Sequence, residues 1–336
     1  MTLPGPVTAE YLRAWARHTH RSPLYAHLIE LTASHPGLLA IIQRIHNRPP
    51  PNVYLAAIHY LLTGDQQEPL AHYYASIVDD PRPVAEVDES FIEFVTTHQD
   101  RIVEIANERL TQTNECRRCV ALLPGMMTAP FDVFHLVEIG TSAGLNLSID
   151  RYRYELGDST WGPQGDLVLS AATPGDHPRL REITIESRTG IDINIIDRDD
   201  PDELRWLDAL VWPEHEERRA RLRAALELTR EVEVNLVEGS VLDTLGPVLA
   251  GLPDGEPVVV MNSFVLNQLD PAQRDHVSRI IDEARSSRRI YRVSLEFIDK
   301  DDDWARLEVG EGMELTPLGT AHPHGEWVEL DYSTLG

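Results

Sequence analysis

The clearest chemical signal in the sequence is a glycine-containing segment, VEIGTSAGLNL at 137–147. Its candidate cofactor-binding residues are Glu138, Gly140, Ser142, Gly144 and Asn146. The apolar run before the first glycine predicts a buried strand that leads into a turn and a helix. Glycines in such a turn let a ligand approach the backbone and leave N–H groups free to bind it. The segment predicts a cofactor loop, and the alternative is a connection whose small residues serve packing.

The same segment also contains the pattern G-x-S-x-G, in which a serine nucleophile lies on a strand–turn–helix elbow. A serine hydrolase using Ser142 would need an acid after a later strand, which Asp270 or Glu296 could supply. It would then need a histidine, which His322 or His324 could supply. The strand before such an elbow usually follows several other strands, whereas helical periodicity precedes Ser142. A hydrolase is therefore the alternative to the cofactor site.

A second candidate is Asp192, in the stretch GIDIN at 190–194. In Rossmann-like domains an acidic residue at the end of the second strand accepts hydrogen bonds from ribose hydroxyls. Because Asp192 follows the glycine segment in the expected order, it is the ribose candidate, and Asp197 is its rival. A solvated surface carboxylate is the alternative, since the chain has 55 acidic residues.

Candidate catalytic residues lie at two later positions. Asn262 and Ser263 follow an apolar run, at a strand end that faces the ligand crevice in open α/β sheets. They could orient a substrate, or they could cap the next turn. His324, with His322, lies in an expected turn and could act as a general base or substrate ligand. An ordinary turn histidine is the alternative.

The elements that position these residues fall into two regions. Before about residue 125 apolar residues recur at helical spacing, with Ser22 and Asn52 as expected N-caps. After it, short apolar runs alternate with helical segments, the last of which starts at Asp270 and Pro271. This alternation predicts an α/β fold with a parallel sheet and helices on both faces.

The end of the chain has a different pattern. Ala305–Val309 and Glu326–Asp331 predict two strands joined by a loop that contains AHPHG at 321–325. An antiparallel pair would therefore follow the parallel strands. The resulting domain prediction is a helical cap that binds substrate over 1–125 and an α/β domain over 126–336.

Three segments of the sequence resemble segments of class I S-adenosylmethionine-dependent methyltransferases. Residues 138–144 are similar to their E-x-G-x-G-x-G motif, with Ser142 at the middle glycine, and GIDIN is similar to their G-V-D-I-S. LVEGSVLD at 236–243 is similar to their third-strand segment, with Ser240 at the position of the aspartate that contacts adenine and Asp243 as its substitute. The resemblance implies a Rossmann-like methyltransferase fold and S-adenosylmethionine as cofactor.

Longer strings resemble the family called domain of unknown function 2332. They are VEIGTSAGLNLSIDRYRYE at 137–155, RTGIDINIIDRDDPDELRWLDALVWPEHEERRARLRAAL at 188–226 and AHPHGEW at 321–327. The chain has Asn194-Ile-Ile-Asp197 where the family pattern is NPLD. This resemblance implies a methyltransferase-like fold and no particular reaction. The sequence thus predicts a methyltransferase acting on a small molecule or protein, or a non-catalytic protein that retains the fold.

Composition bounds the partners and the compartment. The formal net charge is −25, and Lys300 is the lone lysine among 30 basic residues. Such a surface repels nucleic acid and anionic membranes, and it suits a cytoplasm of high salt. The opening residues lack a signal-peptide pattern, which predicts a cytoplasmic protein. Cys116 and Cys119 form a single C-x-x-C pair, and a metal role is not expected because no further ligands lie nearby in sequence.

The charge yields a first test. We expect the thermal midpoint of unfolding to rise as KCl increases from low to molar concentration, because salt screens the repulsion among carboxylates. Differential scanning calorimetry measures the midpoint, and sucrose at matched osmolality is the control. A midpoint that responds equally to sucrose and to KCl would contradict the electrostatic explanation.

Overall fold

The computed structural model describes residues 7–19, 21–47, 49–299 and 303–335. The first six residues, on which the expectation about a signal peptide rests, lie outside this part. The α-helices are α1 Ala9–His18, α2 Pro23–Ser34, α3 Pro36–Ile42, α4 Pro50–Gly64, α5 Asp88–Thr97, α6 Gln99–Glu108, α7 Cys119–Met126, α8 Pro201–Leu210, α9 Glu216–Thr229, α10 Val241–Gly251 and α11 Pro271–Ala284. Short 3-10 helices span Pro69–Tyr73, Val84–Glu86, Cys116–Arg118, Leu145–Ser148, Leu266–Gln268 and Tyr332–Leu335.

The strands form one large and one small sheet. They are β1 Val133–Ile139, β2 Arg153–Leu156, β3 Ser159–Trp161, β4 Val168–Ala171, β5 Thr184–Asp192, β6 Asn235–Glu238, β7 Val258–Ser263, β8 Ile290–Glu296, β9 Ala305–Gly310, β10 Thr316–Ala321 and β11 Val328–Leu330. The large sheet has the order β11-β10-β9-β8-β7-β1-β5-β6, and the small one β3-β2-β4. The fold is therefore mixed α/β with an eight-stranded, mostly parallel sheet, as the sequence predicts at this level.

The direction of the strands divides the large sheet. Strands β8, β7, β1, β5 and β6 are mutually parallel, whereas β9, β10 and β11 continue the sheet in antiparallel pairs. The chain runs outward from β1 through β5 to β6 and then returns to β7 on the other side of β1. This reversal makes the carboxyl edge between β1 and β7 a topological switch point, where open α/β sheets bind ligands.

Helices cover the large sheet on both faces. Val137 and Ile139 of β1 and Ile290 of β8 share a buried apolar cluster with residues of α10 and α11. Val293 of β8 instead contacts α7, since a Cβ on Gly125 would lie 2.9 Å from its Cγ1. Residues an odd number apart on a strand face opposite sides, so α7 lies on the other face.

The chain divides into two compact units, Met1–Thr113 with Asp197–Leu222, and Asn114–Ile196 with Arg223–Gly336. The first unit is helical and has its own apolar core, in which α8 packs against α4. Trp206 lies inside this core, and Trp212 packs against Trp15 with ring centroids 6.0 Å apart. Both tryptophans thus serve packing. The assignment of a substrate-binding cap to residues 1–125 stays a prediction.

Local signals for helix starts hold in part. Ser22 caps α2 by accepting the Tyr25 N–H, and Asp270 caps α11, whose first residue is Pro271. Asn52 as a cap is wrong, because α4 begins two residues earlier at Pro50. None of the described helices combines the length and apolar composition needed to cross a bilayer.

The helix expected directly after the glycine segment is absent from the described chain, which has a 3-10 turn over Leu145–Ser148. Side chains from elsewhere occupy carbonyls that an α-helix would use. The Tyr152 hydroxyl donates to Leu145 O at 2.7 Å, and Arg188 Nε donates to Leu147 O at 3.0 Å. On an α-helix Asn146 and Asp150 would share a face near the glycine segment, and the 3-10 turn removes that arrangement.

The end of the chain also differs from the expectation. Three antiparallel strands replace the expected pair, because Thr316–Ala321 forms β10 between the two predicted strands. The loop at 321–325 consequently joins β10 to β11. The small sheet β3-β2-β4 was not predicted, since its strands are only three or four residues long.

The glycine turn yields a stability test. Gly140 has φ of +79°, and a Cβ there would lie 2.7 Å from Val265 Cβ. We expect Gly140→Ala to lower the free energy of unfolding by about 2 kcal/mol or more, through backbone strain and this collision. Gly251→Ala is the matched control, because a Cβ there meets nothing within 4 Å. Urea denaturation measures both variants, and equal free energies of unfolding would contradict the assignment.

Candidate functional site

The candidate site is centred on Glu138, near the end of β1. Its side chain is buried, with 1% of the residue exposed. One carboxyl oxygen accepts the Thr141 hydroxyl at 2.7 Å, and the other accepts the Asn146 amide at 2.8 Å. Burial raises the pKa of Glu138 to about 7, because these neutral donors only partly replace water. Glu138 therefore connects Thr141, near the start of the glycine segment, to Asn146, near its end.

The glycine loop, residues 140–144, uses its backbone N–H groups internally. The N–H groups of Gly140 and Thr141 donate to Ile191 O, and that of Gly144 donates to Thr141 O. The Ser142 N–H donates to Asp192 Oδ2 at 2.8 Å, and the Ala143 N–H donates to Asn114 Oδ1 at 3.1 Å. The expectation of free N–H groups is wrong, because every donor in the loop has a partner within the protein.

Positive φ angles shape this loop. Gly140, Ser142 and Gly144 have φ of 79°, 51° and 73°. Ser142 is not glycine, so its conformation costs free energy that its hydrogen bonds must offset. Its hydroxyl accepts the Asn114 amide at 2.8 Å, and its N–H is bonded to Asp192. The loop is thus held in one conformation without a ligand.

Asp192 is the last residue of β5 and is partly exposed. Besides Ser142, it accepts the Asn194 N–H at 3.1 Å. Burial raises its pKa, and the backbone donors oppose that effect. Asp197, the rival ribose candidate, belongs to the other compact unit and accepts the Asp199 N–H at 2.9 Å. The structure therefore brings Asp192 into direct contact with the glycine loop.

Ser240 and Asp243 lie just beyond β6, where α10 begins. Ser240 is the N-cap of α10, and its hydroxyl accepts the Leu242 N–H at 3.3 Å. Asp243 lies in the first helical turn, where a carboxylate interacts favourably with the helix dipole. Both positions are accounted for by the start of the helix, and their contact with an adenine stays a prediction.

The end of β7 is held by a carboxylate that was not among the predicted ligand-binding residues. Glu296 accepts the backbone N–H groups of Val265 and Leu266 at 3.0 Å each and that of Asn267 at 3.2 Å. It also accepts the Asn262 amide at 2.8 Å. Burial raises the pKa of Glu296 against these donors.

Three residues beside Glu296 are relevant to the predicted catalytic roles. Asn262 also donates to Ser294 Oγ at 2.9 Å, so its amide is engaged in the sheet, and Ser263 is buried. Phe264 follows with φ of 56°, an uncommon conformation for a side-chain-bearing residue at a strand end. The strand end is therefore a built turn, while substrate orientation by Asn262 and Ser263 stays a prediction.

Arg118, which lies within the C-x-x-C pattern, is next to the end of β7. Its guanidinium stacks 4.3 Å from the Phe264 ring centroid, and its Nε donates to Pro323 O at 3.1 Å. Its charge lowers the pKa of Glu138, against the larger effect of burial. Arg118 thus links the end of β7 to the turn that carries His322 and His324. That turn is closed locally by a His324 N–H donated to His322 Nδ1 at 3.2 Å.

Asn114 and Arg118 are the site residues that sequence reasoning missed. Asn114 lies in an irregular stretch outside any motif, and Arg118 lies in the 3-10 helix Cys116–Arg118, inside the C-x-x-C pattern, whose arginines the sequence reasoning did not consider. The nearby cysteines, Cys116 and Cys119, are both buried and unlinked. Cys119 Sγ donates to Asn146 Oδ1 at 3.4 Å, and burial raises its pKa well above the ordinary value. Among the described residues no group of three or more ligating side chains is placed to hold a metal ion.

Fold and site together define a mixed α/β protein whose candidate site lies at the carboxyl edge of five parallel strands. Over residues 9–330 the chain matches the model of a family described as "Uncharacterized protein conserved in bacteria (DUF2332)". Because this match covers nearly all of its length, the chain belongs to that family, domain of unknown function 2332. The resemblance of the sequence to domain of unknown function 2332 is thereby confirmed. A comparison with curated proteins finds no match.

The raised pKa of Glu138 yields a pH test. The folded state favours the protonated carboxyl, so its contribution to stability is complete below pH about 4.5 and is lost as pH rises through about 7. We expect wild type to lose stability relative to Glu138→Gln between pH 5 and pH 8, by about 3 kcal/mol at most. Urea denaturation of both proteins measures the difference. A difference that does not change with pH would show that Glu138 keeps an ordinary pKa.

Proposed function

We propose that this protein binds S-adenosylmethionine at the carboxyl edge of β1 and β5 and acts as a methyltransferase on a small molecule or a protein. The observation that carries the proposal is the internal use of every N–H from Gly140 to Gly144, beside the carboxylates of Glu138 and Asp192. It separates S-adenosylmethionine from the phosphate-bearing cofactors that also bind at glycine turns.

A pyrophosphate needs N–H donors directed at it, as in dinucleotide-binding turns. This loop has none to offer without breaking its own structure. S-adenosylmethionine carries no phosphate, and it brings a sulfonium cation, an ammonium group and a ribose diol. A loop without available N–H donors, flanked by carboxylates, suits that chemistry better than it suits a dinucleotide.

Asp192 is the residue we assign to the ribose. Its carboxyl oxygens accept the backbone N–H groups of Ser142 and Asn194, and that of Ile193 also bonds this carboxyl. A carboxylate has about four acceptor positions, so one is left for a hydroxyl donor. Because Asp192 is partly exposed, a ligand in the crevice can reach it. Glu138 is nearly inaccessible, so it acts as a positioning residue through Thr141 and Asn146.

The strand order supports the same function. The five parallel strands have the order β6-β5-β1-β7-β8, and the site begins on β1, one of the two strands that flank the switch point. S-adenosylmethionine, when bound, supplies an electrophilic methyl group, and alignment with the acceptor contributes most of the catalysis. The chain departs from the methyltransferase pattern in its 3-10 turn after Gly144 and in Ser142 and Ser240. These departures leave a non-catalytic protein that retains the fold as an alternative.

The serine hydrolase alternative receives less support at Ser142. Its hydroxyl is bonded to the Asn114 amide rather than to a histidine ring, and a 3-10 turn follows the loop instead of an elbow helix. Glu296, one of the candidate acids, is occupied by three backbone N–H groups.

Calorimetric titration with S-adenosylhomocysteine in molar KCl tests the proposal. We expect saturable binding to wild type and at least about tenfold weaker binding to Asp192→Asn, because a charge-assisted hydrogen bond to the ribose is weakened. Asp197→Asn is the matched control with the same change of charge, and we expect it to bind as wild type does. NAD should give no heat, since the loop has no donors for its phosphates.

Three outcomes would count against the proposal. Absence of heat with S-adenosylhomocysteine at millimolar concentration would refute cofactor binding. Equal weakening by Asp192→Asn and Asp197→Asn would remove Asp192 as the ribose ligand. Binding of NAD in place of S-adenosylhomocysteine would show that the loop rearranges to hold phosphate.

A further inference from the structure

A second cluster of polar side chains lies near the amino ends of β1 and β5, away from the glycine loop. His135 of β1 is buried, with Nδ1 2.7 Å from Ser187 Oγ and Nε2 2.5 Å from Glu256 Oε2. Ser187 belongs to β5, and Glu256 lies in the turn that precedes β7. A serine, a histidine and a carboxylate therefore form one continuous hydrogen-bonded chain.

A bulge in the sheet creates this contact. Phe134 pairs with Ile185 and Leu136 pairs with Arg188, so β5 has one residue more than β1 in this interval. The extra residue lies at Glu186 and Ser187, directly opposite His135. Bulges redirect a side chain and release backbone groups from the ladder, and they are frequent beside active sites. The bulge thus brings the Ser187 hydroxyl against the imidazole.

The protonation of the triad follows from its geometry. A neutral imidazole has one N–H donor and one acceptor nitrogen. Because Glu256 accepts at Nε2, the proton lies on Nε2 and Nδ1 is left to accept the Ser187 O–H. A carboxylate that orients histidine, which in turn takes the serine proton, activates serine nucleophiles. Here the two ring nitrogens exchange the roles that they have in the Ser-His-Asp triad.

The serine of this cluster is accessible from solvent. Ser187 is partly exposed, and the Glu256 side chain is 53% exposed, so reagents can reach the serine from solvent. In the described register neither Glu186 nor Ser187 pairs with β1, and β6 pairs with β5 only from Thr189 onward. The bulge therefore interrupts the regular pairing of β5 beside Ser187.

We propose that Ser187, His135 and Glu256 form a nucleophilic serine site that cleaves esters. Ser187 Oγ forms a bond to the acyl carbon, and its proton passes to His135 Nδ1. The ester C–O bond then breaks, and the alcohol leaves with the proton from His135. Water attacks the acyl-serine, His135 takes its proton and returns it to Ser187 Oγ, and the carboxylic acid is released. The exposed carboxylates of Glu186 and Glu256 favour neutral or cationic esters over anionic ones.

A fluorophosphonate probe tests the site, because it forms a stable bond to an activated serine oxygen as fluoride leaves. The full chain is incubated with the probe in molar KCl, digested and mapped by mass spectrometry. We expect an adduct on Ser187 that forms about 100-fold more slowly in His135→Gln and that requires the folded protein. Ser170→Ala, at an exposed strand serine in the small sheet, is the control and should label as wild type does.

Glu256→Gln keeps the experiment decisive if the buried His135 variant unfolds. Glu256 is half exposed, so its replacement leaves the core intact, and we expect slower labelling with an unchanged circular dichroism spectrum. Lack of an adduct on Ser187 in folded wild type, or a labelling rate that Glu256→Gln leaves unchanged, would overturn the proposal. An adduct on Ser142 alone would also overturn it and would restore the hydrolase alternative at the glycine loop.

Discussion

The carboxyl edge of the sheet depends on one buried interaction, the carboxyl of Glu138 with Thr141 and Asn146. Thr141 can approach only because Gly190 of the neighbouring strand lacks a side chain, since a Cβ there would lie 2.4 Å from Thr141 Cγ2. The carboxyl is desolvated, and two neutral donors compensate it incompletely, so its pKa rises to about 7. The loop above it is consequently coupled to the protonation of a group that no ligand touches.

That coupling has an electrostatic consequence for any ligand. The charge of Asp192 raises the pKa of Glu138, while the charge of Arg118 lowers it. A cationic ligand near the loop would stabilise both ionised carboxylates, whereas an anion would meet repulsion and a loop without available donors.

The sequence predicted the alternation of parallel strands with helices and the order of the site segments, because these follow from apolar periodicity and from glycine, which act locally. It did not predict the 3-10 turn after Gly144. That turn depends on Tyr152 and Arg188 capturing carbonyls from a distance, and local propensity contains no trace of such partners. The same holds for Asn114, whose amide braces the loop from a stretch without any motif. Residue type gave the candidates, and only register and packing could select among them.

Strand register also explains why the strongest motif and the hydrogen-bonded chain of Ser187, His135 and Glu256 lie at opposite ends of β1. The glycine segment is conspicuous in sequence because its shape requires residues that tolerate positive φ, and most of its polar atoms are then spent on holding that shape. Ser187 lies in an unremarkable run of β5, and a single bulge brings it to His135. A bulge is a feature of strand pairing rather than of composition. The contact that it creates between two side chains therefore cannot be predicted from the sequence. The glycine segment is therefore conspicuous because of the backbone conformation that it must adopt. The chemistry available to the protein depends instead on which side chains the sheet brings within hydrogen-bond distance.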